Sequence, residues 1–591
     1  MLLAVLFTWP AAWTLSSAAV GSVEGDGVKH LWNLWWMRAE FWGGTPGLLT
    51  TFVNFPEGMA LYPIEPSNGL LAVFSPFGVI TTANLLAILH LTLTGLCSGW
   101  LGYLVSERRV GGLLAGALVQ GSAFSAFTLH VGVGELRQFW WIPLGLACVV
   151  KVKQTLETRW FVALGLSLVG ATLSCFYHGF FLATGVAVYA ICTLRLWPRL
   201  LLGYLLCVVL SLAVVIPVIR SFSQSFGGEA EREKADLVTW MRDWRGAQFE
   251  EYRQAALDPI DLVRPRREAR ATLDRQALAY SGGRYVGVLA VVVAVLGFAA
   301  APRRAWPWVA VGVVALILSF GTVLWWNGEL WKSSGGRLVL PLAYVNRLLA
   351  WFAEPLNFPS RFLSLATVAL GVLAALGARW RVVWVLVPLS IIDGLYNELV
   401  PWPRASFSLA RFEGLAPPEG AMVDLALALK ASDPSSATRG SNVVASIDPE
   451  TRTRSIAAQA ELGRPIQGMP VERVDHWATD GLAWVRVLPL IDALTRGNAD
   501  PAADWRADLW LLRERGFRSV MLSSGSQEDK RVVTSLDAIL GPSTRAENGR
   551  LWTLPEVQSE AAERERWAAA QHQRVAKAKP AEMGVQFPGP P

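Results

Sequence analysis

Long apolar stretches, separated by short turns that are either basic or rich in aromatic residues, dominate the first two thirds of the chain. Stretches suited to crossing about 30 Å of hydrocarbon fall at about 2–20, 79–105, 110–128, 137–151, 159–177, 179–194, 198–219, 284–300, 306–326, 358–378 and 381–398. This pattern predicts about eleven transmembrane helices within residues 1–400. Beyond them the period shortens. "FRSVMLSS" and "GRLWTLP" read as strands and "ADLWLLRERG" as a helix, so residues 401–556 are expected to form a small α/β domain. Residues 557–591 read as a charged helix fading into a disordered Pro/Gly tail. The expected fold class is therefore an α-helical polytopic membrane protein with interfacial amphipathic helices and a C-terminal α/β domain.

Charge in the turns orients these spans. "SERRVG", "KVKQTLETRW", "RLWPR", "APRRAWP" and "RWR" place Arg108, Arg109, Lys151, Lys153, Arg159, Arg195, Arg199, Arg303, Arg304, Arg379 and Arg381 in alternate turns. By the positive-inside rule those turns face the cytoplasm. The other face then carries residues 21–78, 129–136, 220–283, 327–357 and everything after about 399. The first stretch has small residues in "SSAAVGS" but no basic segment before it, and it is needed for the alternation, so it is expected to stay as a span rather than be cleaved.

Composition narrows the class. Of 591 residues, 53% are hydrophobic and only 17% charged, which excludes an ordinary soluble protein. The 28 Trp suit membrane interfaces, where a ring can keep an apolar body in lipid and a polar tip in water. The five Cys lie in apolar stretches with no CxxC pair, so neither a disulfide framework nor a zinc cluster is expected. No Walker loop, dinucleotide fingerprint, HExxH or serine elbow is present, and the net charge of +6 follows from topology without any nucleic acid.

Candidate chemistry gathers in the outer turns. In "GDGVKHLWNLWW", Asp26 precedes a helix in which Val28, Leu31, Trp32, Trp35, Ala39 and Trp42 share one face and Lys29, Asn33 and Glu40 the other. That pattern predicts an amphipathic helix lying in the interface, with Asp26 held by the free N–H groups at its start. "FVNFPEGMALYPIEPSNGLLAVFSPFG" adds Glu57 and Glu65. "FTLHVGVGELRQFWWIPLGLACV" brings His130, Glu135 and Gln138, and "CFYHGFF" brings His178. Arg337, Arg347 and Arg361 lie along the 327–361 segment, and Arg361 stands where an apolar run begins. An arginine fork suits a phosphate because it presents two donors and stays charged. Arg220 ends the seventh run, and Trp240, Trp244 and Tyr252 mark the long charged loop as a possible lid.

One span, an acid at its outer end and two interfacial helices resemble the first outer loop of the GT-C superfamily of membrane glycosyltransferases. "LPLAYVNRLLAWFAEPLNFPSRFLSLATVALGVLAALG" and "QAELGRPIQGMPVER" are similar to segments of uncharacterised bacterial members with this layout. The resemblance implies a sugar donor on a polyprenyl phosphate, a lipid environment, and transfer on the extracytoplasmic face of a bacterial inner membrane. It implies Asp26 as catalytic base or as a metal ligand, with Glu57 and Glu65 as acidic partners. It further implies Arg337, Arg347 and Arg361 on the donor phosphate, His130, Glu135 and His178 as substrate contacts, and inversion at the sugar carbon. No cofactor is required by these residues, a divalent metal is compatible with them, and the acceptor is left open. An enzymatically silent scaffold and a lipid or small-molecule transporter are the competing classes.

Overall fold

A computed structural model describes residues 1–22, 27–43, 49–53, 59–60, 65–193, 203, 209, 211–213, 256–264, 283–333, 336–349, 356, 358–397, 406–409, 413–426, 449–467, 484–485, 487–495, 498–523 and 530–582. Two compact units emerge. The first is Met1–Leu34 with Pro63–Phe407, and the second is Trp35–Tyr62 with Ser408–Pro591. Residues 35–62 of the first outer loop thus group with the C-terminal part.

The first unit is a helical bundle. Its helices are α1 Leu2–Phe7, α2 Gly27–Gly43 (whose second half belongs to the other unit), α3 Pro66–Val73, α4 Val79–Ser106, α5 Arg109–Gln120, α6 Ala123–Val131, α7 Trp141–Thr155, α8 Thr158–Ser174 and α9 Phe176–Thr193. They continue as α10 Val288–Ala300, α11 Pro302–Ser319, α12 Pro341–Leu349, α13 Leu363–Gly377 and α14 Arg381–Asn397. Four stretches among the described residues are long and apolar enough to cross a membrane: Val79–Ser106, Arg109–Val131, Phe176–Thr193 and Pro359–Gly377. Run 198–219 lies almost wholly outside the described residues.

Glycine sets how closely the helices approach. A Cβ on Gly116 would lie 2.6 Å from the Gly95 carbonyl, and one on Gly112 2.7 Å from that of Gly99. The α4 and α5 backbones therefore meet across small residues, the device that membrane helices use when lipid removes the hydrophobic incentive to associate. Around them Leu146, Phe181, Trp308, Phe362 and Leu365 form the core.

Among the described residues, three of the basic turns meet at one end of this bundle. Arg304 pairs with Glu107 at 3.3 Å, Arg379 reaches the Ala299 carbonyl at 3.5 Å, and Lys153 lies 5.8 Å from the Tyr189 ring. At the α14 end away from Arg381, Asp393 accepts from the Tyr285 hydroxyl at 2.9 Å and from Asn397 at 2.6 Å.

Two expectations are corrected. Residues 2–20 do not form one span: α1 stops at Phe7, turns follow, and Ala19–Val20 pairs antiparallel with Ser406–Phe407. Pro10 is the reason, because its ring removes an N–H and disfavours helical geometry at the residue before it. Nor does α2 expose a polar face to an interface. Lys29, Asn33 and Glu40 are buried, and Glu40 accepts from the Trp36 indole and the Thr50 hydroxyl.

In the second unit a four-stranded sheet runs Thr544–Ala546, Gly549–Thr553, Phe517–Ser523, Ala421–Asp424, with the last pair parallel and the others antiparallel. Helix Arg506–Glu514 packs on it, so "FRSVMLSS", "GRLWTLP" and "ADLWLLRERG" have the conformations their patterns predict. Phe52 ties the first loop into this unit, since its carbonyl accepts from Ile466 N–H at 3.0 Å and from the Gln459 side chain. Gln467 in turn exchanges two hydrogen bonds with the Asp424 backbone, at 2.8 and 2.7 Å.

Candidate functional site

Residues 130–138, linking α6 to α7, organise the polar residues of the first unit. Gly132 sits at φ +75°, and a Cβ there would meet the Gly27 Cα at 2.5 Å, so the start of α2 lies directly against this link. Ser22 N–H donates to the His130 carbonyl at 2.7 Å. Arg137 donates to the carbonyls of Val20 (3.0 Å), Leu129 (3.3 Å) and Thr128 (3.4 Å). Burial pulls its guanidinium down to about 10 and the Glu65 carboxylate acts the other way, so it remains a cation at neutral pH.

On one side of the link, Glu135 faces Arg361 with Oε1 to Nη1 at 3.6 Å, both side chains buried. Pro359–Phe362 forms a short 3-10 turn before α13, which carries Arg361 inward instead of toward lipid. Its guanidinium lies 4.3 Å from the Phe358 ring centre and 4.9 Å from that of Tyr177. His178, in the first turn of α9, is fully buried between Phe139 and Phe181 and within electrostatic reach of Arg361. Cys175 belongs to the same group. Its thiol lies within electrostatic reach of both Glu135 and Arg361.

Hydrogen-bonding capacity remains unused there. Among the described residues, Arg361 Nη1, both His178 ring nitrogens and Gln138 Nε2 are buried with no hydrogen-bond partner. A buried polar group left without a hydrogen bond costs about 1–3 kcal/mol, and a neutral His178 offers one donor and one acceptor nitrogen. Several such groups in one place, next to a stacked arginine, suit an anion. Gln138 is aimed by its other end, where Oε1 accepts from Ser67 Oγ at 2.6 Å.

On the other side lies a second group, joined by a run of hydrogen bonds. Glu65 Oε1 meets His30 Nδ1 at 2.9 Å, and Oε2 accepts from Asn68 Nδ2 at 2.6 Å. Asn68 Oδ1 meets His90 Nε2 at 2.6 Å, and His90 Nδ1 accepts from Trp140 Nε1 at 3.1 Å. Gly134 touches this carboxylate: a Cβ there would lie 2.3 Å from Glu65 Oε2.

The fold thus gathers Glu135, His178 and Arg361, and sets Glu65 across the same link. His130 closes α6 beside them. Arg337 lies in strand Gly336–Arg337 and Arg347 in α12, their side chains outside what is described. Asp26, Glu57, Arg220, Trp240, Trp244 and Tyr252 lie outside the described residues. His30, Asn68, His90, Arg137 and Trp140 escaped the sequence reading. His90 carried a usable signal, because an imidazole deep in an apolar span needs a partner. Among the described residues no three His, Cys, Asp or Glu side chains converge as metal ligands. Glu65 is engaged by His30 and Asn68, and Glu135 by Arg361.

No protein-family model and no curated protein matches the chain. Solved structures do. The arabinofuranosyltransferase AftD from Mycobacteria is similar at 13% identity and a TM-score of 0.47, over 94% of this chain and 39% of that one. The chain therefore spans about two fifths of the AftD length. ArnT from Cupriavidus metallidurans, bound to undecaprenyl phosphate, is similar at 16% identity and a TM-score of 0.36, over 94% of this chain and 99% of that one.

Proposed function

We propose that this protein is an integral-membrane glycosyltransferase that takes a sugar from a polyprenyl-phosphate donor on the extracytoplasmic face. The observation that carries the reading is the group of buried nitrogens on Arg361, His178 and Gln138 that make no hydrogen bond among the described residues, beside aromatic rings. Such a site can hold a phosphate whose attached tail is apolar. It favours the moment of bond breaking, because the leaving phosphate gains negative charge just where fixed donors already point. Glu135 faces the Arg361 guanidinium at 3.6 Å. Arg337 and Arg347 extend the phosphate site in this proposal. Asp26 is the carboxylate of the reacting face, as catalytic base or metal ligand, with Glu57 as its neighbour in the same loop. The acceptor hydroxyl attacks the sugar carbon opposite the phosphate, with inversion.

The test is donor consumption by purified protein in lipid, using a panel of radiolabelled polyprenyl-phosphate sugars. Wild-type turnover that falls on the order of 10²–10³-fold in Arg361→Ala is expected, the size of loss seen when one fixed charge-stabilising donor is removed. Equal rates in both proteins would refute the assignment.

A further inference from the structure

The polar chain behind Glu65 has a direction, and the direction is set by one indole. Trp140 Nε1 can only donate, so His90 Nδ1 must accept. His90 then carries its hydrogen on Nε2 and gives it to Asn68 Oδ1. That orients the Asn68 amide, whose Nδ2 donates to Glu65 Oε2. Glu65 accepts at both oxygens, and His30 Nδ1–H supplies the second hydrogen bond at 2.9 Å. The remaining nitrogen of His30, Nε2, is left as the unprotonated, basic one.

We infer that His30 is the proton-accepting group of the transfer reaction, with Glu65, Asn68, His90 and Trp140 as positioning residues; this rests on the reading above. A histidine whose Nδ1–H is held by a buried carboxylate has its tautomer and ring orientation fixed, which leaves Nε2 as the proton-accepting nitrogen. In the step, the acceptor O–H proton moves to His30 Nε2 as the acceptor oxygen bonds the sugar carbon. The bond from that carbon to the phosphate oxygen breaks, its electron pair leaves with the polyprenyl phosphate, and the imidazolium later returns its proton to water. Residues 134–138 couple the two halves, since Gly134 abuts Glu65 while Glu135 faces Arg361. Among the described residues, Arg137 of the link acts electrostatically on Glu65, and His90 of α4 lies within reach of Arg137.

The chain has only 6 His, so ring-nitrogen spectra of histidine-labelled protein in lipid can be assigned with single variants. His30 is expected to carry its hydrogen on Nδ1 and His90 on Nε2, and Trp140→Phe should mix the two forms at His90. A hydrogen on Nε2 of neutral His30 would overturn the inference. The second arm is the pH profile of donor consumption. Wild type should lose activity on acidification through one ionisation. His30→Gln should lower the rate on the order of 10²–10⁴-fold and abolish that limb, and Glu65→Gln should shift it. A His30→Gln protein with the wild-type rate and profile refutes the inference while Arg361→Ala still judges the reading it rests on. If wild type consumes none of the donors, the glycosyl-transfer reading fails and the inference falls with it.

Discussion

Single residues carry the chemistry, and two of them make separable predictions. Arg361 is held by charge at Glu135 and by the faces of Phe358 and Tyr177. Lysine keeps the charge but has neither the planar fork nor the stacking face. Arg361→Lys is therefore expected to raise the KM for donor about tenfold with a smaller change in kcat, checked by steady-state kinetics on whichever donor turns over. Asp508 in the second unit behaves differently. Burial lifts its carboxyl to about 6, while the Leu490 N–H at 2.6 Å and the more distant Arg574 act downward. The folded value exceeds that of an unfolded aspartate, about 3.9. The stability it contributes is thus complete below about pH 4 and is lost as pH rises through about 6. Asp508→Asn keeps the acceptor for Leu490 and should remove that fall, a difference on the order of 2–3 kcal/mol at neutral pH. Hydrogen exchange of strand Phe517–Ser523 against pH reads it directly.

At the scale of elements, the link between α6 and α7 does the arranging, and its glycines make that testable. Gly134→Ala places a methyl 2.3 Å from Glu65 Oε2. Because Glu65 is locked by His30 and Asn68, the carboxylate cannot simply rotate away. The expected outcome is at least a tenfold fall in donor consumption from protein that still folds into the membrane; undiminished activity would show that Glu65 has no part in turnover. Gly116→Val, in contrast, drives a side chain toward the Gly95 carbonyl and separates α4 from α5. It should destabilise the bundle by about 1–3 kcal/mol, the usual cost of overpacking, seen as a lower thermal midpoint in lipid. Several of these helices were legible from their apolar period. α1 and α2 were not read correctly, for different reasons. Pro10 outweighed the apolar run around it, and the polar residues of α2 found buried partners far along the chain.

For the molecule as a whole, the positive-inside pattern sets the expected topology. Turns carrying Glu107, Ala299 and Arg304 meet at one end of the helical unit, while the polar links around residues 130–138 do not share their basic character. In a protein freed of its five native cysteines, Glu157→Cys should resist an impermeant maleimide in cells with a permeabilised outer membrane. Ser559→Cys should react under the same conditions. Reversed labelling would invert the topology and move the candidate site to the cytoplasm.

The order of apolar runs, the alternation of basic turns and the strands "FRSVMLSS" and "GRLWTLP" were determined by the sequence alone, because local period and local charge act over a few residues. Glu135, Arg361 and His178 could each be singled out as polar groups at the borders of apolar runs, but nothing local paired them. Only the tertiary structure brought His30 to Glu65, 35 positions apart, and Trp140 to His90, 50 apart. Burial is the physical reason. Once these groups leave water their hydrogen bonds must be met inside the bundle, and the partner that meets them is chosen by helix packing, which no short stretch of sequence encodes.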